Sequence, residues 1–261
     1  MQFPRISASS YSNTAPLVWS FLYGRNHGRV EMILDNAPAR SAELLAKNRV
    51  DAALVPVITY QMFDGLRLIP DVCVGARTRV RSVCLVTKGI DLNKVRSISL
   101  DVSSKTSVVL TKLIFREFLG FEPEWIDAEP DLDSMLLDSD CALLIGDPAL
   151  KLSDSAIRIF DLAELWHEHT GLGFIFAMWM TRQNKFEIDL AAARDEGLAH
   201  IEDISTNYAS EIGLSHEEMK NYLTDNISYS IDKSMQRGME LYFDLAAKNH
   251  LIEKNRSLVY C

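Results

Sequence analysis

The chain has 261 residues and a formal net charge of −9 at pH 7, with 48% apolar and 24% charged residues. This composition is typical of a globular protein, and the acidic balance without a long run of lysine and arginine argues against a nucleic-acid-binding surface. No apolar run is long enough to cross a bilayer. We therefore expect neither a nucleic-acid partner nor a membrane partner.

The N-terminal segment and the cysteines favour a cytoplasmic location. The start, MQFPRISASSYSNTAPLVWSFLYG, is polar where a secretory signal would have its apolar region, so we interpret it as a mature N-terminus. The four cysteines are far apart in sequence and form no CxxC motif: Cys73, Cys84, Cys141 and Cys261. Three of them lie in or beside strand-like runs, which predicts buried free thiols and no disulfides.

Strand-like and helix-like segments alternate over the first part of the chain. The predicted elements are, in order, the strand RISAS, a helix APLVWSFLYG that ends at Gly24, the strand VEMIL, a helix PARSAELLAKN that begins at Pro38, and the strand DAALVPV. VCVGA and SVCLVT follow as two consecutive strands, and three arginines surround their junction. This alternation predicts an α/β unit.

A second alternating series surrounds the polar segment DVSSKTS. Its predicted elements are the strand SISL, a helix over 106–119, the strand EWID, the helix DLDSMLL, the strand CALLIG, the helix DPALKL and the strand FIFAMWM. Beyond about Lys185 the pattern is helical to the end. These series predict two lobes with an active-site cleft between them. The first lobe comprises 1–80 and 181–261, with the helical tail packed on it, and the second comprises 81–180.

Two polar segments lie where a predicted strand meets a predicted helix. DVSSKTS places four hydroxyls within five positions: Ser103, Ser104, Thr106 and Ser107. In SSYSNTAPL, residues 9–17, polar side chains precede a helix with Pro16 in its first turn. Ser, Thr and Asn at such positions commonly cap a helix, which explains one or two of them. The remaining polar side chains are suited to binding an anion, because a helix start offers unpaired N–H groups and the positive end of its dipole.

Two further segments lie beside the predicted cleft. LLIGDPAL places Gly146 and Asp147 directly after a buried strand, where we expect a tight turn with Asp147 as a helix N-cap and part of the cleft wall. One arginine of RTRVRS, or Ser82, could reach a carboxylate. The chain has no P-loop, GxGxxG or GxSxG motif and no metal-ligand spacing, so the corresponding chemistries lack their usual signals.

Several segments occur in the same order as in a known family. They are YSNTAPL, LVPVITY, SVCLVT, DVSSKTS, ALLIGDPAL, DLAELWHEHTGLGFIFAMW and YSIDKSMQRGMELYFDLA. Over nearly its whole length the chain resembles the MqnA family, the chorismate dehydratases of the futalosine pathway of menaquinone biosynthesis. The sister family, which makes dihydroxynaphthoate later in that pathway, shares the fold. Its two corresponding polar segments differ from those found here, so the dehydratase fits better.

The resemblance implies a two-lobed, type-II periplasmic-binding-protein-like α/β fold used as a cytoplasmic enzyme. It implies a lyase that removes water from chorismate to give 3-[(1-carboxyvinyl)oxy]benzoate, with no metal and no organic cofactor. The Asn of the family's Y-L-N motif falls on Asn13 and the Ser of its S-V-x-L motif on Ser82, and we predict that both are catalytic. The predicted substrate contacts are Ser10, Thr14, Arg77, Ser104, Thr106, Ser107, Gly146 and Asp147.

Within DVSSKTS we expect Thr106 and Ser107 to hold a substrate carboxylate and Ser103 or Ser104 to cap the helix. The chain departs from the family at Ser12, where a Leu is usual, and we expect that change to alter the packing beside the Asn of the motif. The alternative to an enzyme is a protein of the same fold that binds a small carboxylate without converting it. A transport receptor would need an export signal, and the N-terminal segment shows none, so we favour the enzyme.

Overall fold

The computed structural model describes residues 3–35, 37–152 and 156–261, which form two five-stranded sheets surrounded by helices. The strands are β1 Arg5–Ser9, β2 Glu31–Asp35, β3 Ala52–Pro56, β4 Arg67–Ala76, β5 Val83–Thr87, β6 Ser97–Asp101, β7 Glu124–Ala128, β8 Cys141–Ile145, β9 Arg158–Asp161 and β10 Phe174–Thr181. The helices are α1 Ala15–Leu22, α2 Pro38–Ala46, α3 Thr59–Met62, α4 Lys105–Leu113, α5 Leu132–Asp138, α6 Asp147–Leu150, α7 Leu162–Thr170, α8 Leu190–Ala199, α9 Ile201–Ile212, α10 His216–Asn221 and α11 Lys233–Lys248. None of these helices has the length and apolar character needed to cross a membrane.

Each sheet contains one antiparallel strand, which the chain forms directly after crossing from the other sheet. The first sheet has the order β2-β1-β3-β10-β4, in which β10 is antiparallel to β3 and β4. The second has the order β7-β6-β8-β5-β9, in which β5 is antiparallel to β8 and β9. The chain therefore crosses between the sheets twice, once from β4 to β5 and once from α7 to β10.

The second crossover lies earlier than the sequence predicts. The predicted boundary at residue 180 assigns FIFAMWM to the second lobe, but this segment is β10 and pairs with β3 and β4 of the first sheet. Nearly all its side chains are buried, on both faces, because β10 is an inner strand of the first sheet and the helices α4, α7 and α11 pack against it. The crossover therefore lies at residues 171–173.

Most predicted elements are present in the predicted order, and the exceptions are short or irregular. The four-residue elements α3 and β9 are not predicted, because neither is long enough to show the repeat of apolar residues that indicates a helix or a strand. The predicted helix over 106–119 is α4 continued by a π-helical segment, Ile114–Leu119.

A buried carboxylate fixes the first crossover. Asp161, at the end of β9, accepts hydrogen bonds from the N–H groups of Val80 at 3.0 Å and Arg81 at 2.5 Å. It also caps α7 by accepting from the N–H groups of Ala163 and Glu164. Burial raises the pKa of Asp161, and its N–H donors oppose that effect by stabilising the charged form. One side chain thus joins the crossing segment to the second sheet.

The core runs through both sheets, and a smaller apolar cluster lies behind the second. Cys73, Cys84 and Cys141 are buried free thiols, as predicted. Burial raises the pKa of each, to about 12 for Cys141, so these thiols are unreactive near neutral pH.

The C-terminal helices pack back on the first sheet, as predicted. α8 contacts α1 and β4, and α11 contacts β10. α11 also contacts α4 beside the second sheet, so the tail touches both halves. The α8–α1 contact is close at Gly197, where a Cβ atom would overlap the carbonyl oxygen of Pro16.

This contact can be tested by replacing Gly197 with alanine. Gly197→Ala should lower the free energy of unfolding by about 1–3 kcal/mol, because the backbone at Pro16 must move to admit the methyl group. Helix propensity alone would raise the same free energy by about 1 kcal/mol, so the sign of the change separates the two effects. Urea unfolding followed by circular dichroism measures it, and a more stable variant would contradict the close packing.

Candidate active site

A cavity of about 520 Å³, including its open mouth, lies where strands of both sheets end. Strands β1, β3 and β8 reach it with their carboxyl ends, the usual ligand-binding edge of an α/β sheet. Its polar lining consists of Ser9, Tyr11, Asn13, Thr14, Ser104, Thr106, Ser107 and Gly146. Its apolar lining consists of Pro38, Leu54, Pro56, Val74, Val83, Ile145, Phe176 and Ala177. None of these lining side chains is charged.

Six of the residues predicted for the site line this cavity. They are Asn13, Thr14, Ser104, Thr106, Ser107 and Gly146. They come from three joints between a strand and a helix: β1 to α1 in the first sheet, and β6 to α4 and β8 to α6 in the second. The structure therefore brings the two polar segments of the sequence to one cavity, and their roles toward a substrate stay a prediction.

The polar side chains before α1 bond to one another instead of capping the helix. Residues Ser12–Thr14 form a 3-10 turn, in which the Thr14 N–H donates to the Tyr11 carbonyl at 2.9 Å. Thr14 Oγ1 lies 3.1 Å from Ser9 Oγ and donates to Asn13 Oδ1 at 3.3 Å. The N-cap of α1, Thr14, makes no side-chain cap bond to any described residue. Capping therefore does not explain this segment.

The four hydroxyls at the start of α4 divide into one that bonds to Asp101 and three in the cavity wall. The Ser103 hydroxyl donates to Asp101 Oδ1 at 2.5 Å, and the Ser103 N–H donates to the same oxygen at 2.8 Å. Ser104 occupies the N-cap position, but its side chain caps no N–H group among the described residues. The expectation that Ser103 or Ser104 caps α4 is wrong, because Asp101 takes the first hydroxyl and the second residue lies in the cavity wall.

The first turn of α4 offers donors that no described residue fully uses. Thr106 and Ser107 are 2% exposed. Thr106 Oγ1 accepts a long bond, 3.4 Å, from the Ile58 N–H and keeps its own proton for another partner. The Ser107 hydroxyl bonds to none of the described residues. With the first-turn N–H groups and the helix dipole, these hydroxyls suit an anion.

The joint after β8 touches the joint before α1. The Tyr11 ring lies against Gly146, whose φ of +68° and ψ of −151° suit only glycine. A Cβ atom on Gly146 would come within 2.8 Å of that ring. Asp147 accepts hydrogen bonds from Ser12, from Oγ at 2.5 Å and from N–H at 3.2 Å. A Leu at position 12 could not donate the shorter bond.

Asp147 therefore has a different role from the two that the sequence suggests. It is not among the residues that line the cavity, and Gly146 takes the N-cap position of the four-residue helix α6. Burial raises the pKa of Asp147, and the Ser12 donors oppose that effect. Its carboxylate joins the two sheets, and no contact with a bound molecule is needed to explain its burial.

Ser82, predicted to be catalytic, is not among the lining residues either. It is fully buried, and its Oγ accepts a hydrogen bond from Tyr222 Oη at 2.8 Å. Burial raises the pKa of Tyr222 more than Ser82 and the Asn13 side chain lower it, so this phenol stays neutral. Sequence reasoning misses Tyr222 because one tyrosine on the apolar side of a helix is typical of core packing.

Ser10 and Arg77 also lie outside the cavity wall. Ser10 is exposed after β1, and its N–H donates to the Asp35 carbonyl at 2.9 Å. Arg77 is 65% exposed, and its Nε lies 3.0 Å from the Asp232 carboxylate. The predicted substrate contacts of both residues are therefore unsupported, because one points outward and the other is paired.

The lining suits a small molecule with an apolar body and anionic ends. Phe176 and the aliphatic side chains form an apolar wall, and the hydroxyls, the Asn13 amide and the start of α4 supply neutral donors. The lining contains no acid, histidine or cysteine, and the described residues hold no group of three or more such side chains placed to bind a metal. No lining side chain is therefore an ordinary proton acceptor near neutral pH.

Two solved structures with the same fold come from different organisms. The alkanesulfonate-binding protein SsuA from Xanthomonas axonopodis pv. citri, solved with MOPS bound, matches with a TM-score of 0.70 at 13% identity, over 98% of this chain and 96% of that one. A Candida albicans protein described as having the generic periplasmic binding protein structural fold matches with a TM-score of 0.67 at 13% identity, over 100% and 99%. These matches confirm the periplasmic-binding-protein-like fold.

A curated chorismate dehydratase from Thermus thermophilus is 30% identical over 256 residues, which cover 89% of this chain and 91% of the relative. The family model described as menaquinone biosynthesis matches residues 4–248. That match spans both sheets, the three joints around the cavity and the C-terminal helices. The chain belongs to the menaquinone biosynthesis family.

Proposed function

We propose that this protein is a chorismate dehydratase, a lyase that removes water from chorismate to give 3-[(1-carboxyvinyl)oxy]benzoate. The observation that carries the proposal is the near-full-length match to a relative with that activity, within the menaquinone biosynthesis family. The donors around the cavity support it, because chorismate is a small ring with two carboxylates.

The start of α4 is the best place for one substrate carboxylate. Thr106 and Ser107 offer hydroxyl protons there, next to the first-turn N–H groups and the positive end of the helix dipole. In a cavity without lining charges, each such bond to a carboxylate is strong. The ring then lies against Phe176 and the aliphatic wall. This placement lets an acidic protein bind a dianion without a lysine or arginine in the site.

The enzyme has to orient the substrate, because the reaction itself is thermodynamically favourable. Loss of the ring hydroxyl and the neighbouring ring hydrogen makes the ring aromatic, so the overall change is favourable. The protein has to hold the substrate in one geometry and stabilise charge that develops on the ring carboxylate. We assign the orientation of the leaving hydroxyl to the Asn13 amide, which lines the cavity. Ser82 is buried away from the lining, so we assign the proton transfer to a carboxylate of the substrate itself.

We propose that the reaction uses no metal or organic cofactor, and that it takes place in the cytoplasm. The lining offers hydroxyls and an amide, which are weak metal ligands, and no carboxylate, imidazole or thiol. A dianionic substrate does not cross a bilayer unaided, because burying a carboxylate in hydrocarbon is very unfavourable. The enzyme and its substrate should therefore share a compartment.

The first prediction is that the protein converts chorismate. Purified protein should remove the cyclohexadiene absorbance of chorismate and yield 3-[(1-carboxyvinyl)oxy]benzoate, identified by mass spectrometry and NMR. Binding with no conversion would support a small-carboxylate-binding protein instead. Formation of 4-hydroxybenzoate and pyruvate would show that the cavity promotes the competing elimination, and it would contradict the proposal.

The second prediction concerns the hydroxyls in the first turn of α4. Ser107→Ala should lower kcat/KM for chorismate about 10- to 100-fold with little change in Tm, because a bond to a charged group contributes about 1.5–3 kcal/mol. Ser99→Ala is the matched control: its hydroxyl donates to the Met135 carbonyl at 3.2 Å, outside the cavity lining. That variant should lose about 1 kcal/mol of unfolding free energy and keep kcat/KM within about twofold. The reverse pattern would show that Ser107 is structural.

The third prediction concerns metals. Prolonged dialysis against EDTA should leave kcat and KM unchanged, because hydroxyls and an amide alone bind divalent metals weakly. Metal content measured before and after dialysis provides the control. Activity that falls with the metal and returns only when zinc or magnesium is added would contradict this part of the proposal.

A further inference from the structure

Ser12 and Asp147 join two segments that are 135 residues apart in sequence. The Ser12 hydroxyl donates to Asp147 Oδ1 at 2.5 Å, and the Ser12 N–H donates to both carboxylate oxygens at 3.2 Å. Ser12 is fully buried, and Asp147 is partly buried. Hydrogen bonds to a carboxylate are stronger than those between neutral groups. These bonds therefore make a strong contact between the turn before α1, beside the first sheet, and the start of α6, beside the second.

Each partner is attached by a short stretch of backbone to a segment that lines the cavity. Ser12 directly precedes Asn13, whose side chain is part of the lining. Asp147 follows β8, which pairs in parallel with β6, and β6 leads into the first turn of α4. The contact therefore connects the amide beside the first sheet with the three lining hydroxyls beside the second.

We propose that Ser12 and Asp147 are positioning residues: their hydrogen bonds set the separation between the Asn13 amide and the hydroxyls of α4 across the cavity. One chorismate molecule is then held by a carboxylate at α4 while its leaving hydroxyl meets the amide. This inference rests on the proposed function, because it uses the roles assigned there to Asn13 and to α4. Neither residue of the pair is in the cavity lining, so both act through their neighbours.

Packing beside this contact limits how the separation can change. The Tyr11 ring lies on Gly146, so close that a Cβ atom there would come within 2.8 Å of it. The ring therefore opposes a closer approach of the two turns, and the Ser12 bonds oppose a wider one. A second contact between the two halves, from the Ile58 N–H to Thr106 Oγ1, is 3.4 Å long and joins neutral groups. The carboxylate contact is the stronger constraint of the two.

Ser20 offers a matched control on one side of the cavity. It is also fully buried, and its hydroxyl donates to the Glu196 carboxylate at 2.5 Å. Glu196 lies on α8, which packs against α1 and β4 in the half of the protein built on the first sheet. Ser20→Ala therefore removes a bond of the same kind and length without changing a contact between the two sheets.

The test compares Ser12→Ala with Ser20→Ala in the chorismate assay. Ser12→Ala should lower kcat about 10- to 100-fold and change KM by less than about threefold, because the carboxylate still binds at α4 while the amide meets the leaving hydroxyl less often. Ser20→Ala should lower Tm and keep kcat within about twofold. Parent-like kcat in Ser12→Ala would overturn the proposal, and so would an equal loss of kcat in both variants.

A double variant separates positioning from a general loss of stability. In an Asn13→Ala background, Ser12→Ala should reduce kcat by less than about twofold further, because the amide that it positions is already gone. The same 10- to 100-fold loss in both backgrounds would overturn the proposal. If Ser12→Ala does not fold, Ser12→Cys keeps the size of the side chain and is a weaker donor, and parent-like kcat there would also overturn it.

A distance measurement tests the pair without chorismate. Spin labels at two exposed positions, Lys47→Cys after α2 and Lys94→Cys before β6, report the separation of the two halves by double electron–electron resonance. Cys261→Ser removes the partly exposed native thiol. Ser12→Ala should add a component at longer distance, and Ser20→Ala should match the parent. An unchanged distribution in Ser12→Ala would overturn the proposal, whereas a parent protein that leaves chorismate intact would refute the proposed function.

Discussion

The contact between the turn before α1 and the turn after β8 determines how the two sheets are held together at the cavity. The Tyr11 ring covers Gly146, and Ser12 donates two hydrogen bonds to the partly buried carboxylate of Asp147. A carboxylate that is partly removed from water needs such donors, so Ser12 and Asp147 keep these turns together. Both turns also contribute lining residues. The contact that joins the two sheets therefore also brings the donors of both sheets into a single cavity.

The donors themselves are uncharged, which suits a protein with a net charge of −9. Of the four hydroxyls at the start of α4, one is bonded to Asp101 and three line the cavity beside the positive end of the helix dipole. An arginine in this position would bring its own charge and would need a partner whenever the site was empty. Hydroxyls stay neutral and need no such partner. A dianionic ligand then brings the only charges into the cavity, where a low local dielectric strengthens each bond to them.

Much of this arrangement could be predicted from the sequence, and the misses have physical causes. Alternating apolar periods predict most strands and helices, but β10 is apolar on both faces, and its sheet depends on pairing with strands more than 90 residues away. The surplus of polar side chains at the strand–helix joints predicts much of the polar lining. The sequence does not distinguish the roles of Ser103 and Ser107, because only the fold shows which hydroxyl bonds to Asp101 and which lines the cavity. Tyr222 reaches Ser82 through tertiary packing, so its neighbours in sequence carry no signal of that contact.

The central claim is that neutral groups at the start of α4 hold a carboxylate of the ligand inside the cavity. The most direct measurement is a crystal structure of the protein with 3-[(1-carboxyvinyl)oxy]benzoate bound. One carboxylate should lie within hydrogen-bonding distance of the hydroxyls of Thr106 and Ser107, with the aromatic ring against Phe176. A ligand whose carboxylates are bound instead by Arg77 or Arg79, outside the cavity wall, would contradict it.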